Sequence, residues 1–224
     1  MQQHLLIDGD DTLWENNMYF ERAIEAFIDF LAHSSLQPPE VRAVLDEIEM
    51  TMGYGSENFA KSLQETYRQL AERDVRDEDL ERVRSFGEQI MHHPMQVMDR
   101  VEETLAYLAP RHRLILLTKG NQDEQRLKID NSGLNVYFEH TIIVAEKDSA
   151  TYNLLLQELE LDVPNTWMIG NSPRSDINPA VRAGMRGAVL IPHPFTWELE
   201  CEEISVAAER VATVTTFPQL LELF

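Results

Sequence analysis

From about residue 94 onward, the sequence alternates between short apolar runs and helical segments, and this alternation allows few folds. The apolar runs cover residues 114–117, 141–144, 167–169 and 188–191, with a last candidate near 211–214. Between them lie segments with apolar residues at helical spacing. Strands alternating with helices are typical of a parallel sheet covered by helices on both faces. The sequence therefore predicts an α/β fold with a doubly wound parallel sheet.

A further apolar run lies near the N-terminus, and a long helical region separates it from the others. Residues 4–7 form this run, which stops at Asp8. Residues 15–93 contain four stretches with apolar side chains at the spacing of one helix face. The simplest organisation is a helical domain inserted after the first strand. We predict an α/β core formed by residues 1–14 and 94–224, and a helical cap formed by residues 15–93.

Polar side chains follow the first four predicted strands. They are Asp8 and Asp10 after the first strand, Thr118 and Lys119 after the second, Lys147 after the third, and Asn171 and Asp176 after the fourth. In an open parallel sheet, ligands bind beyond the carboxyl ends of the strands. We therefore expect these side chains to surround one crevice.

The residue types in this set point to phosphoryl transfer. Two carboxylates close together attract a hard cation, and Mg²⁺ often uses one or two carboxylates with water and substrate phosphate. A lysine and a hydroxyl group can hold a phosphoryl group. Asp8 could act as a nucleophile that forms an acyl phosphate, and Asp10 could carry protons to and from the reacting oxygens.

The same residues resemble the motifs of the haloacid dehalogenase superfamily. Asp8-Gly9-Asp10-Asp11-Thr12 resembles its first motif, in which two aspartates precede a threonine. Thr118 resembles the second motif, Lys147 the third, and residues 170–176 the fourth. The resemblance covers the whole chain, with the four motifs in order at successive strand ends.

This resemblance implies a role for each residue. Asp8 would attack phosphorus, and Asp10 would protonate the leaving group and then activate water. The implied phosphate-binding residues are Thr118, Lys119 and Lys147. The implied Mg²⁺ ligands are Asp8, the backbone carbonyl of Asp10, Asn171 and Asp176. Asn171 stands where many phosphatases of the superfamily have aspartate, so metal binding is expected to be weaker or to rest more on Asp176.

The resemblance favours hydrolysis of a small phosphate monoester, with several alternatives left open. Members that cleave carbon–halogen bonds lack an aspartate at the position of Asp10, which favours phosphate over halide. A phosphomutase or a phosphonate hydrolase would use the same core. The phosphonate hydrolase would need a lysine in the cap, where Lys61 is the only candidate. A third alternative, suggested by Asn171, is a catalytically weak protein that binds a phosphorylated ligand.

Composition restricts the partners of the chain. The 19 Lys and Arg against 39 Asp and Glu give a net charge of −20, which argues against nucleic acids and anionic membranes. No run approaches the ~20 apolar residues that span a bilayer, and the lone Cys201 fits a reducing compartment. We expect a cytoplasmic protein that acts on a small phosphorylated metabolite. Residues 193–203 are expected to cover the edge of the core or to meet another subunit, and the oligomeric state stays open.

Overall fold

The computed structural model describes residues 2–224, which divide into two compact units. The first unit runs up to Asn17 and continues with Met95–Phe224. The second unit is the continuous segment Met18–Pro94. Among residues 2–224, none of the helices combines the length and the apolar character that crossing a bilayer requires.

The first unit is built on a six-stranded sheet in which every neighbouring pair is parallel. The strands are β1 (His4–Ile7), β2 (Arg113–Lys119), β3 (His140–Val144), β4 (Thr166–Gly170), β5 (Gly187–Leu190) and β6 (Val211–Thr213). Their order across the sheet is β3-β2-β1-β4-β5-β6. The predicted α/β fold with a parallel sheet is confirmed. The order changes direction at β1, which lies between β2 and β4.

Alternating side chains of the strands fill two apolar cores, one on each face of the sheet. Leu5 and Ile7 of β1 belong to one core, and Leu6 belongs to the other. Ile115 of β2 and Met168 of β4 pack with Leu6. Because both faces are buried, the strands are almost continuously apolar, as is usual for parallel sheets.

The second unit consists of four helices and a short 3₁₀ turn. The helices are α1 (Asn17–Leu31), α2 (Pro38–Met52), α3 (Ser56–Leu70) and α4 (Asp77–Glu88), followed by the turn Gln89–His92. Their apolar faces meet in one core, in which Phe27, Leu45, Leu63 and Tyr67 are among the most buried side chains. Burial of these faces against one another is the main source of helix stability here.

The helices that follow the strands cover the sheet of the first unit. They are α5 (Val101–Leu108), α6 (Gln122–Ser132), α7 (Ser149–Glu158) and α8 (Asn178–Arg182). Asn121 caps α6 by accepting the amide of Asp123 at 3.0 Å, and Asp148 caps α7 by accepting the amide of Thr151 at 2.8 Å. Both helices begin shortly after a strand ends, so their N-termini lie at the carboxyl edge of the sheet.

Candidate active site

Asp8 lies directly after β1, at the carboxyl edge of the sheet, and is buried. Its amide donates to the carbonyl of Ile169 in β4 at 2.9 Å. The chain then turns, since the amide of Leu13 returns to the carbonyl of Gly9 at 2.8 Å. A methyl group at Gly9 would lie 2.7 Å from the ring of Trp14. This turn therefore needs glycine, and it keeps Asp8 at the strand end.

A buried lysine links Asp8 to the fourth motif. The Nζ of Lys147 donates to Oδ1 of Asp8 and, at 2.8 Å, to Oδ1 of Asp176. All three side chains are at least nine-tenths buried. Burial raises the pKa of Asp8, and the charge of Asp176 adds to this effect against the attraction of Lys147. Burial by itself would lower the pKa of Lys147, but the two carboxylates outweigh it and the pKa is raised.

Asp176 is held in place by the loop that follows β4. Its Oδ2 accepts the amide of Ser172 at 3.0 Å, and a π-helical turn, Pro173–Ile177, carries it back toward the sheet. A side chain at Gly170 would overlap the carboxylate of Asp176. The glycine at the end of β4 therefore makes room for the buried carboxylate.

Asp10 has partners different from those of Asp8. Lys128 donates to both of its oxygens, at 3.0 and 2.8 Å. Gln125 and the indole of Trp14 each donate to it at 2.7 Å. Burial would raise the pKa of Asp10, but Lys128 and these hydrogen bonds overcome burial and lower it. In this arrangement Asp10 is an ionised carboxylate.

Lys128 and Gln125 were missed by the sequence analysis. They lie three positions apart on α6, so both project from the same face of that helix. The sequence signal that could have identified these two residues is the polar face of the helix that follows the strand with the second motif. The sequence does not reveal, however, which face of α6 turns toward Asp10, which is 118 residues from Lys128.

The two predicted phosphate-binding residues at the end of β2 point to different partners. Thr118 is buried and donates from Oγ1 to Gln125 at 3.1 Å. Lys119 donates to a carboxylate oxygen of Glu200 at 2.6 Å and to the hydroxyl of Ser175 at 2.8 Å. The lysine is therefore already paired with an anion, and the sequence analysis did not identify Glu200.

Asn171 follows β4 by one residue and is buried. Its Nδ2 donates to the hydroxyl of Thr196 at 3.0 Å. Thr196 belongs to residues 193–203, which follow β5 and contact the loops at the carboxyl edge of the sheet. Within this chain, residues 193–203 therefore cover part of the core, which is the first of the two expectations for them.

A second group of side chains lies beside the first motif. Potential ligand atoms of Asp11, Glu15 and His193 all lie within 4.8 Å of one another, and such a set could hold a metal ion. The carboxylate of Asp11 also accepts the amides of Asn16 and Asn17 at 3.0 Å, at the start of α1. Burial and the charge of Asp10 raise the pKa of Asp11 to about 8.

The donor atoms around Asp8 suit Mg²⁺. Asp8, Asn171 and Asp176 follow the neighbouring strands β1 and β4, and all three are buried. They offer carboxylate and amide oxygens, which Mg²⁺ prefers. Lys147 balances one of the two carboxylate charges and leaves one for a cation to neutralise. The predicted ligands thus offer the types of oxygen atom that Mg²⁺ prefers, whereas the set with His193 is a separate group that contains nitrogen.

Comparison with known proteins gives a consistent result. A family model described as haloacid dehalogenase-like hydrolase matches residues 3–184. A haloacid dehalogenase-like family hydrolase from Xanthomonas campestris has a solved structure that is 31% identical in sequence. The match covers 99% of this chain and 95% of that chain, with a TM-score of 0.83. No curated protein sequence matches the chain.

More distant structures share the fold. A 2-haloacid dehalogenase from Pseudomonas syringae is 24% identical, with a TM-score of 0.62 over 100% of this chain and 98% of that chain. A predicted phosphoglycolate phosphatase from Haemophilus somnus is 14% identical, with a TM-score of 0.65 over 99% and 97% of the two chains. At these identities the likeness concerns architecture, and these two named activities differ from each other.

Proposed function

Because this chain belongs to the haloacid dehalogenase-like hydrolase family, we propose that it hydrolyses a small phosphate monoester through a phospho-aspartate at Asp8, with Mg²⁺ as cofactor. The observation that carries this proposal is the pairing of buried Asp8 with Lys147, next to a second carboxylate, Asp10, with separate partners. One carboxylate is thus placed for attack, and the other, held by Lys128, Gln125 and Trp14, is available for proton transfer once its contact with Lys128 loosens.

In the proposed first step, an oxygen of Asp8 attacks phosphorus and the bond to the leaving oxygen breaks. Attack requires the ionised carboxylate, whose pKa is raised by burial. Lys147 opposes that effect by its charge and by the hydrogen bond to Oδ1. Bound Mg²⁺ would supply further positive charge to the phosphate and to Asp8. The proposed ligands are Asp8, the Asp10 carbonyl, Asn171 and Asp176.

Asp10 would handle the protons of both steps. It would give a proton to the leaving oxygen and later take one from the water that cleaves the phospho-aspartate. Lys128 holds Asp10 ionised, which suits the second role. For the first role Asp10 must gain a proton, and this requires that its contacts with Lys128 loosen when substrate binds.

The phosphate oxygens would be held at the end of β2. Thr118 lies there with its hydroxyl engaged by Gln125, which also contacts Asp10. We propose that this hydroxyl and the amide of Lys119 bind phosphate. The ammonium group of Lys119 is paired with Glu200, so its contribution would be the backbone amide unless that pair opens.

Phosphate rather than halide is proposed because of Asp10. Its proton-handling role is needed for phosphate ester hydrolysis, and the resemblance implies that halide-cleaving members lack it. The dehalogenase from Pseudomonas syringae is only 24% identical and supports the fold alone.

The test is phosphate release from 4-nitrophenyl phosphate with and without Mg²⁺. We expect release by the native chain that depends on Mg²⁺ and that falls at least about 10³-fold in Asp8→Asn, since the nucleophile is lost. The exposed Asp130 gives a matched control, and Asp130→Asn should keep native activity. Chloride release from 2-chloropropionate is measured in parallel.

Three results would contradict the proposal. Equal phosphate release from the native chain and Asp8→Asn would exclude Asp8 as nucleophile. Chloride release without phosphate release would establish a dehalogenase. If the native chain released phosphate from neither the aryl ester nor a panel of phosphorylated metabolites, the alternative of a binding protein would be favoured.

A further inference from the structure

Residues 193–203, here called the C-terminal strap, are fixed to the core at two points. His193 lies between Asp11 and Glu15, with nitrogen–oxygen distances of 3.6 and 3.2 Å. At the other end, Glu200 accepts hydrogen bonds from Lys119 and Ser172, both at 2.6 Å. Glu200 is itself buried. The strap is therefore held against the loops at the carboxyl edge of the sheet.

Thr196 lies between these two fixed points and meets Asn171. The Nδ2 of Asn171 donates to Oγ1 of Thr196 at 3.0 Å, and this is the one hydrogen bond that the Asn171 side chain makes within residues 2–224. The side chain of Asn171 is buried. Its Oδ1 is therefore left without a hydrogen-bond donor among the described residues.

The two ends of an asparagine side-chain amide differ chemically, whereas the two oxygens of an aspartate carboxylate are equivalent. Its side chain ends in one oxygen, which can bind Mg²⁺, and one NH₂ group, which repels a cation. Rotation about the last side-chain bond exchanges the two. The hydroxyl of Thr196 accepts from this NH₂ group in the structure, and the contact stabilises the orientation that leaves the oxygen available.

We propose that Thr196 is a positioning residue that presents Oδ1 of Asn171 to Mg²⁺, so that the strap compensates for the asparagine in the fourth motif. This proposal rests on the proposed function, because it assumes that Mg²⁺ binds near Asp8. In this proposal Thr196 acts through Asn171 and would not itself be a ligand. Its effect depends on the NH₂ group of Asn171, and an aspartate at that position would not need it.

The test measures Mg²⁺ binding by calorimetry, on the full chain without substrate. Thr196→Val keeps the shape of the side chain and removes the acceptor, and Thr196→Ser keeps the hydroxyl. A hydrogen bond of ordinary net strength corresponds to an effect of about threefold to tenfold on the dissociation constant. We expect Thr196→Val to weaken Mg²⁺ binding by that factor and Thr196→Ser to bind like the native chain.

The second part of the experiment repeats the comparison of threonine with valine at position 196 in a chain that also carries Asn171→Asp. In that background there is no NH₂ group to orient, so adding Thr196→Val should not weaken Mg²⁺ binding further. Thermal midpoints without metal report whether each variant is folded. If Thr196→Val were unfolded, Thr196→Ala would take its place.

Three results would overturn the inference. Native affinity in Thr196→Val would remove the role of Thr196. If Thr196→Val weakened Mg²⁺ binding equally in the native chain and in Asn171→Asp, the effect would be general damage to the strap. A native chain that binds neither Mg²⁺ nor Mn²⁺ would overturn both the inference and the metal dependence of the proposed function, whereas the first two results leave that function intact.

Discussion

At the scale of residues, the site is dominated by one lysine between two carboxylates. Asp8, Lys147 and Asp176 are all buried, and the ammonium group lies between the two carboxyl groups. Burial removes the water that stabilises a charge, so each carboxylate depends on the ammonium group. The lysine therefore has a structural role that can be measured separately from catalysis.

The first prediction concerns removal of this ammonium group. Lys147→Met should lower the free energy of unfolding by about 3–5 kcal/mol at neutral pH, because two buried carboxylates lose their shared partner. The loss should shrink as the pH falls, because burial raises the pKa of Asp8 and a protonated Asp8 no longer needs the ammonium group. Urea unfolding of the metal-free chain measures both effects.

Lys61→Met is the matched control. Lys61 is exposed and forms an ion pair with Glu57 at 2.9 Å, one helical turn away, so its loss should cost less than about 1 kcal/mol. A Lys147→Met chain as stable as this control would show that the buried carboxylates do not need the lysine.

The second prediction concerns the pH dependence of stability. Burial and then the charge of Asp10 raise the pKa of Asp11 from 3.8 to about 8. Between these values the folded state keeps a proton that the unfolded state releases, so the contribution of Asp11 to stability is greatest at low pH and falls as pH rises. Asp11→Asn keeps an acceptor for the amides at the start of α1. Between pH 5 and 8, the free energy of unfolding of this variant should fall by about 1–3 kcal/mol less than that of the native chain.

Urea midpoints at several pH values in metal-free buffer measure this difference. Asp74→Asn is the control, since Asp74 is exposed and lies between helices α3 and α4. Its pH profile should match that of the native chain. Parallel profiles for Asp11→Asn and the native chain would exclude a raised pKa at Asp11.

At the scale of elements, α6 and the C-terminal strap provide the partners of the motif residues. Lys128 and Gln125 of α6 hold Asp10. Thr196 of the strap contacts Asn171, directly after β4. Glu200 of the strap accepts from Lys119 at the end of β2 and from Ser172 and Ser175 in the loop after β4. The four sequence motifs alone would therefore be an incomplete description of the site.

Close packing of two helices in the second unit supports the third prediction. A methyl group at Gly87 of α4 would lie 2.7 Å from Cβ and 2.8 Å from Cα of Ala60 in α3. Alanine favours a helix over glycine by up to about 1 kcal/mol, but overlap with backbone atoms costs about 1–3 kcal/mol. Gly87→Ala should therefore lower stability, as measured by urea unfolding.

Glu81→Ala serves as the control because Glu81 is an exposed residue of the same helix. Its stability should stay within about 0.5 kcal/mol of the native value. A Gly87→Ala chain more stable than the native chain would mean that α3 and α4 move apart easily.

At the scale of the whole molecule, the net charge of −20 affects both stability and metal binding. Repulsion among the carboxylates opposes the compact state, and added salt screens it. Any divalent cation would therefore stabilise the chain to some extent. A specific magnesium site must produce an effect beyond this screening.

The fourth prediction separates the two effects. Mg²⁺ at about 100 times its dissociation constant should stabilise the native chain by about 2.7 kcal/mol through binding to the folded state alone. NaCl at equal ionic strength should give a smaller rise in the thermal midpoint. Asp8→Asn should respond similarly to both salts, and EDTA should reverse the Mg²⁺ effect. Equal midpoints in Mg²⁺ and NaCl for the native chain would contradict a specific site.

The amino-acid sequence by itself determined the parallel sheet and the edge at which polar residues meet. Alternation of apolar runs and helices predicts parallel strands, and parallel strands place their carboxyl ends at one edge. That is why Asp8, Lys147 and Asp176 could be expected together, and they contact one another in the structure. Their catalytic and metal-binding roles stay predictions until they are measured.

Only the tertiary structure decided which side chains complete these motifs. The pairs Asp10–Lys128 and Lys119–Glu200 join residues 118 and 81 positions apart. Such pairs depend on the rotation of a helix about its axis and on the path of an irregular segment. Apolar periodicity identifies the buried face of an element, but it does not encode which polar side chain on the remaining surface meets a given partner.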